Sequence, residues 1–207
     1  GNRAILTKLL TFHVVPGRIT ASQLSNGQTL TTVEGTQLPV SITGGVVRVG
    51  GAVVTTTDIS ASNGVVHLID GVMLGSLDVV DQAIIRGFSS LVSAVTTAGL
   101  GTTLRTTNNI TVFAPTNAAF AAIPGGAPTT AAGLTPVLQY HVLGSRNLAA
   151  SLTNGQVLTT LQTGTLTVGI TGSAVRLTGR TNFANVVATD VVAKNGVIHV
   201  IDTVLLP

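Results

Sequence analysis

The sequence is short of the residues that cross-link, stack or carry charge. Cysteine is absent from its 207 residues, which excludes disulfides and thiolate chemistry and leaves the redox compartment unread. Tryptophan is also absent, and five phenylalanines with one tyrosine are too few for a platform on which nucleic-acid bases stack. Charged residues make up only 8% and hydrophobic ones 44%, the opposite of the balance that keeps a chain unfolded. The basic pI near 10.2 rests on an excess of three cations, spread singly from Arg3 to Lys194, so no nucleic-acid partner is expected. Mean hydropathy is high at +0.57, yet no apolar run approaches the roughly 18 to 20 residues needed to span a bilayer. No transmembrane segment is expected. The opening stretch GNRAILTKLLTFHVVPG has too short an apolar run and no small-residue cleavage pattern for a signal peptide, so an exported protein would be read here after its removal.

What the chain does have is Val, Ile, Leu and Ala mixed with Thr and Gly, a composition suited to strands. It also repeats itself. TFHVVPGRITASQLSNGQTLTTV (Thr11 to Val33) lies over QYHVLGSRNLAASLTNGQVLTTL (Gln139 to Leu161) at an offset of 128. NGVVHLIDGVML at Asn63 lies over NGVIHVIDTVLL at Asn195 at an offset of 132, which puts four extra residues in the second copy, in a hairpin loop near Gly179 to Asn185.

Each copy opens on a short helix. In the first it covers Arg3 to Leu10, with Ile5, Leu6, Leu9 and Leu10 as an apolar stripe. In the second, Thr135 reads as the N-cap and Pro136 as the first helical residue. Strands in hairpins follow, punctuated in the first copy at Glu34-Gly35, Gly44-Gly45 and Gly50-Gly51. The second copy alone has a front half: Ser76 to Leu104 reads as helical with Gly99 as its stop, then a strand from Ile110 to Ala114 halted by Pro115, then a helix capped by Thr116 or Asn117. The repeat implies about 50 to 60 residues of this kind that the first copy lacks.

TVFAPTNAAF (Thr111 to Phe120), Tyr140-His141 and NGVIHVIDTVLLP (Asn195 to Pro207) stand in that order in the second copy. They resemble the two signature blocks and the intervening Tyr-His motif of fasciclin-type domains. The resemblance covers nearly all of Ser76 to Pro207 and, from Arg3 to Leu74, the back half of a domain. It implies residues 1–75 as the back half of a fasciclin-like domain and residues 76–207 as a complete one. The implied fold is α+β and mainly β, a wedge of two β-sheets flanked by short helices, in two tandem copies. Such domains occur in secreted or surface-attached adhesion proteins and are usually binding modules. The resemblance further implies adhesion roles for an Asp-Ile pair, here Asp58-Ile59 and, with a conservative change, Asp190-Val191, and for Tyr140-His141. Phe12 replaces the tyrosine in the first copy.

The residues themselves support structural roles for His13, His67, His199, Asp70 and Asp202. Alternation along the last strand puts His199 and Asp202 on opposite faces, with Asn195-Gly196 as the entering turn, so each must find a loop or backbone partner. No nucleophile stands in a G-x-S-x-G or comparable setting, and an enzyme is not expected. A metal site on His141 and His199 would need a third ligand where only lone carboxylates such as Asp190 or Asp202 stand, and neither metal nor cofactor is expected. Asp58 has a second reading, as a carboxylate that ends a strand and stabilises a turn. Asn109-Ile110-Thr111 is a formal N-glycosylation acceptor beside a core strand.

The expected function is an extracellular or cell-surface adhesion or matrix module that binds protein or glycan partners. The alternative is a structural subunit of a self-assembling polymer, a homo-oligomer or filament in which a neighbouring chain completes the first domain. Ranked above completion by a neighbour is the plain alternative that the sequence is a piece of a longer chain, and the third choice of function is an enzyme with a convergent pocket around His141 and His199.

Overall fold

The computed structural model describes residues 2–207 and divides into two compact units, Gly1–Leu77 and Asp78–Pro207. The first contains α1 (Asn2–Phe12) and an antiparallel meander of β1 (Thr29–Thr31), β2 (Gln37–Thr43), β3 (Val46–Val49), β4 (Ala52–Ala61) and β5 (Gly64–Ile69), hydrogen-bonded in that order. Alternation decides which side chains enter. On β2, Leu38 and Val40 are buried while Gln37, Pro39 and Ser41 are exposed. Between β2 and β3, Gly44 and Gly45 both have positive φ, 58° and 78°, as a two-residue hairpin turn matched to strand twist requires. Phe12, Leu30, Leu38, Val40 and Met73 form the core of this unit.

The second unit begins with α2 (Val79–Ile85), α3 (Ser89–Thr97) and α4 (Gly101–Thr106). The helical reading of Ser76 to Leu104 is thus corrected to three short helices: Gly87 as well as Gly99 turns the chain at positive φ, 75° and 70°, which a continuing helix does not allow. Asp78 caps α2 by accepting from the amides of Val80 and Asp81. Arg105 on α4 ties the same turn down through Asp78 and Asp81, at 2.7 and 2.5 Å. Partial burial acts against the guanidinium charge, but the two carboxylates outweigh it and raise the Arg105 pKa.

Next come β6 (Ile110–Pro115), α5 (Asn117–Ala121) capped by Thr116, and α6 (Ala131–Tyr140). The expected start of α6 is corrected as well. Its N-cap is Thr130, whose hydroxyl accepts from Gly133, and Pro136 lies inside the helix. The earlier start buries Leu134 beside Val137 and Leu138, and packing overrides the local Thr-Pro signal.

The sheet of this unit adds β7 (Val142–Leu143), β8 (Val157–Thr159), β9 (Thr165–Thr171), β10 (Ala174–Thr178), β11 (Phe183–Ala193) and β12 (Gly196–Ile201), in the order β7-β6-β12-β11-β10-β9-β8. From β8 to β12 it repeats the order of β1 to β5. The four additional residues fall where expected, in the β10–β11 hairpin: eight residues separate the paired Arg176 and Asn185, whereas four separate the paired Arg48 and Val53. A bridge between Leu143 and Thr160 joins the two outer ends of the sheet.

β12 is buried at all six positions, lying parallel to β6 and antiparallel to β11. Its faces and those of β6 serve two cores. Ile110, Val112, Ala114 and Ile198 pack with the helices. Phe113 and Ile201 pack on the other face with Tyr140, Leu166 and Leu177.

Candidate functional site: paired histidine and aspartate frameworks

The four histidines form two matching pairs of backbone clasps. In the second unit, the backbone of α6 positions His141, whose Nδ1 donates to the Val137 carbonyl at 2.7 Å while its Nε2 accepts from the Leu205 amide at 3.0 Å. In the first unit, His13 Nδ1 donates to Leu9 at 2.8 Å and Nε2 accepts from Met73 at 3.0 Å. On the last strands the tautomer is reversed. His199 Nε2 donates to the Asn147 carbonyl at 2.8 Å and Nδ1 accepts from the Asp190 amide at 3.4 Å; His67 does the same with Ile19 at 2.9 Å and Asp58 at 3.4 Å. A ring that donates on one nitrogen and accepts on the other must be neutral. Complete burial of His141 enforces this, lowering its pKa to about 4 even though the hydrogen bond to Val137 favours the charged form.

The aspartates are clasps too. Asp202 accepts from the Asn185 amide at 2.8 Å and from the Asn185 side chain and Thr203, while Asp70 accepts from the Val53 amide at 2.8 Å. Burial acts to raise the Asp202 pKa, but these hydrogen bonds prevail and hold it below the ordinary carboxylate range. His199 and Asp202 therefore do not meet, and each is satisfied by backbone.

Asp58 and Asp190 do not end strands, which corrects the turn reading. Each sits within a long strand, at a shift of register, with φ of 60° and 57°. The irregularity turns the carboxylate back across the unit, where it accepts from the Ala21 or Ala149 amide at 2.9 Å. Both aspartates are exposed, as is Ile59, whereas Val191 is half-buried and packs against the helical core. The Asp-Ile and Asp-Val pairs thus lie at matching places on the surface.

Tyr140 and His141 do not. They are 1% and 2% exposed, enclosed within the second unit. The Tyr140 hydroxyl donates to the Thr165 carbonyl and accepts from the Arg180 amide, both at 2.9 Å, inside the longer β10–β11 turn. A methyl group built on Gly164 would stand 2.6 Å from the ring. The first unit has Phe12, a shorter turn, and Thr36 where Gly164 stands, so hydroxyl, turn and glycine change together. Asn109 is exposed in the left-handed region at φ 57°, while Thr111 is fully buried and bonded to Ser145 and Asn147.

The role of Asn195 was not foreseen. Its side chain accepts from the Val79 amide at 3.0 Å and donates to the Leu104 and Thr107 carbonyls at 2.7 and 2.9 Å, pinning α2 and α4 to the sheet. Gly196 belongs to β12 rather than to the turn, which is Lys194-Asn195. A methyl group there would stand 2.2 Å from the Ile110 carbonyl oxygen. The repeated Asn-Gly was the available signal, and it reads as easily as a turn.

A cavity of about 60 Å³ in the second unit has an apolar lining that includes Val80, Leu91, Val95 and Leu138. Binding sites of small substrates instead combine a larger volume with convergent polar groups. Among the described residues no three His, Asp or Glu side chains gather where a metal could be held, and no helix is long and apolar enough to cross a membrane.

The family model for the fasciclin domain matches residues 1–75 and 86–207. The chain belongs to the fasciclin domain family. It is similar to the transforming growth factor-beta-induced protein ig-h3 of Sus scrofa, at 34% identity over 98% of this chain and 30% of that protein. It is also similar to protein sll1483 of a Synechocystis species, at 42% identity over 58% of this chain and 67% of that protein. The chain therefore spans about 30% of the length of its ig-h3 relative. A FAS1 domain pair from the insect cell adhesion molecule Fasciclin I has the same fold, with a TM-score of 0.57 over 100% of this chain and 81% of that one at 20% identity.

Proposed function

We propose that the chain is an extracellular adhesion or matrix module in which residues 1–75 and 76–207 are two fasciclin-type copies, the first represented by its back half. The observation that carries this reading is the use of the polar motif residues. Both nitrogens of every histidine, and the carboxylates of Asp58, Asp70, Asp190 and Asp202, hold backbone groups. Contact with a partner then falls to the exposed strand surfaces, rich in Thr and poor in charge, around Thr55 to Ile59 and Val187 to Asp190. Protein or glycan ligands suit such a surface, because broad, weakly polar contact needs no electrostatic steering. Membership in an adhesion family adds support.

Attachment of cells or matrix to a surface coated with the protein tests this. Asp58→Asn combined with Asp190→Asn, which removes the charges but keeps an oxygen acceptor and suits the left-handed backbone, is expected to reduce attachment while the fold is retained. Unchanged attachment by folded protein removes these aspartates, and no attachment by the unaltered protein removes the reading. A second reading, self-assembly through the first unit, is favoured by the exposed apolar side chains Leu6, Leu10 and Val14 on that unit. Light scattering separates the two, since self-assembly requires a molar mass that grows with concentration.

A further inference from the structure

The outer face of the second unit's sheet carries an aromatic ring and a cation that the hydrogen-bond framework does not use. Of the five phenylalanines, Phe12, Phe113 and Phe120 are buried and Phe88 is half-buried, while Phe183 is 46% exposed. The Arg176 guanidinium lies over the Phe183 ring, 3.4 Å from its centroid. Register explains the contact. Thr178 pairs with Phe183 and Arg176 with Asn185, which makes Arg176 and Phe183 diagonal neighbours on one face. Arg176 is itself exposed, and among the described residues it makes no ion pair and no side-chain hydrogen bond.

The surface around this pair is hydroxylated and poor in negative charge. Leu166, Val168 and Leu177 point inward, so alternation turns Thr165, Thr167, Thr171 and Thr178 outward, and all four are exposed. Thr167 stands opposite Thr178 and extends the row that ends in Phe183. β8, β9 and β10 contain no Asp or Glu. The first unit supplies a built-in control: Arg48 stands at the matching place, opposite Val53, but Gly51 takes the place of Phe183.

We infer that this face binds an acidic polysaccharide, with Arg176 holding a uronate carboxylate and Phe183 fixing the guanidinium. A planar fork of N–H donors meets a carboxylate through two parallel hydrogen bonds. Stacking on the ring covers one side of the fork and limits its rotamers, yet leaves the donor edge open to a ligand. The threonine hydroxyls, each able to donate and accept, meet the sugar hydroxyls. A row of short hydroxylated side chains suits sugar rings better than it suits a peptide. One cation matches the single charge of a uronate residue rather than the dense charge of a sulfated chain. This inference rests on the reading of the chain as a module for protein or glycan partners, and its surface includes neither Asp58 nor Asp190.

The test uses the intact 207-residue chain and oligogalacturonate, with the methyl-esterified oligomer as the uncharged control. Titration followed by NMR is expected to move the Arg176 Nε–H resonance and the amides of Thr167 and Thr178. Arg176→Gln should weaken binding at least about tenfold, as loss of hydrogen bonds to a charged group does. Phe183→Leu, which keeps the cation and removes the ring, should weaken it about two- to fivefold. Arg48→Gln should leave it unchanged. All three side chains are exposed, and circular dichroism of each variant should match that of the unaltered chain. The inference is overturned if oligogalacturonate does not bind, if the methyl ester binds equally well, or if R176Q or F183L binds as well as the unaltered chain. It is also overturned if R48Q weakens binding as much as R176Q, or if polyglutamate binds as tightly, which would make an acidic peptide the partner. Asp58→Asn combined with Asp190→Asn should not alter this binding. Attachment of cells or matrix to a chain that binds no oligogalacturonate overturns this inference alone and leaves the adhesion reading standing.

Discussion

The two units share a hydrogen-bond framework and differ in what covers it. His13 and His141, His67 and His199, Asp58 and Asp190, and Asp70 and Asp202 hold matching backbone groups at nearly equal distances. Asn26 and Asn154 add a further pair, each accepting from a strand amide at 2.8 Å. Yet the second unit has two cores and the first has one. The lesson is that these polar motifs define the hairpin frame without the helical layer, whereas burial of the last strand requires β6 and the helices. Conformation repeats where partners are local, and environment diverges where they are not.

The largest effect that would sharpen this comparison comes from truncating matched apolar residues. Ile198→Ala is expected to destabilise the second unit by about 2 to 5 kcal/mol, as buried aliphatic truncations do. Val66→Ala, at the matching exposed position, should cost less than about 0.5 kcal/mol. Urea unfolding of both variants measures the difference, and equal losses would break the comparison.

Next in size is the pH dependence of the second unit. His141 has a folded pKa of about 4, below the ordinary value near 6.5. As pH falls below about 6.5 the unfolded chain takes up the proton first, so stability is complete above that pH and declines toward pH 4. The full term is roughly 3 kcal/mol on the scale of 1.36 kcal/mol per pH unit. Unfolding midpoints between pH 7.5 and 4.5 should fall less steeply in His141→Gln than in the unaltered chain; an unchanged slope would mean the ring is not the titrating group.

A smaller effect is expected at the aromatic position where the copies differ. Tyr140→Phe removes a hydroxyl held by Thr165 and Arg180 and should cost about 0.5 to 1.5 kcal/mol, the net worth of a typical hydrogen bond. Phe12→Tyr is expected to destabilise as well, because the first unit lacks the longer turn that receives the hydroxyl. Stabilisation by Phe12→Tyr would show that the two positions are more alike than their surroundings suggest.

Much of this was legible in the chain itself. The repeat, its four-residue insertion and the strand-rich character follow from residue order and alternation, which act over a few positions. That His199 and Asp202 do not pair was legible too, since opposite faces of a strand forbid it. Less was legible where two signals coincided. Asp58 beside an aliphatic residue looked like a strand end, but a left-handed residue inside a strand leaves no mark that distinguishes it from a turn. Thr135-Pro136 looked like a helix start, and only the packing of Leu134 moved it.

The sequence alone determined the duplicated frame, because matched His, Asp and Asn-Gly positions find backbone partners through local strand geometry. Tertiary structure alone decided that Tyr140 and His141 are enclosed while Asp58 and Asp190 are exposed. It also decided that Gly196 is required by an approaching strand while Gly64 has nothing above it. Burial depends on which distant segments converge, and the order of residues along one strand does not record that.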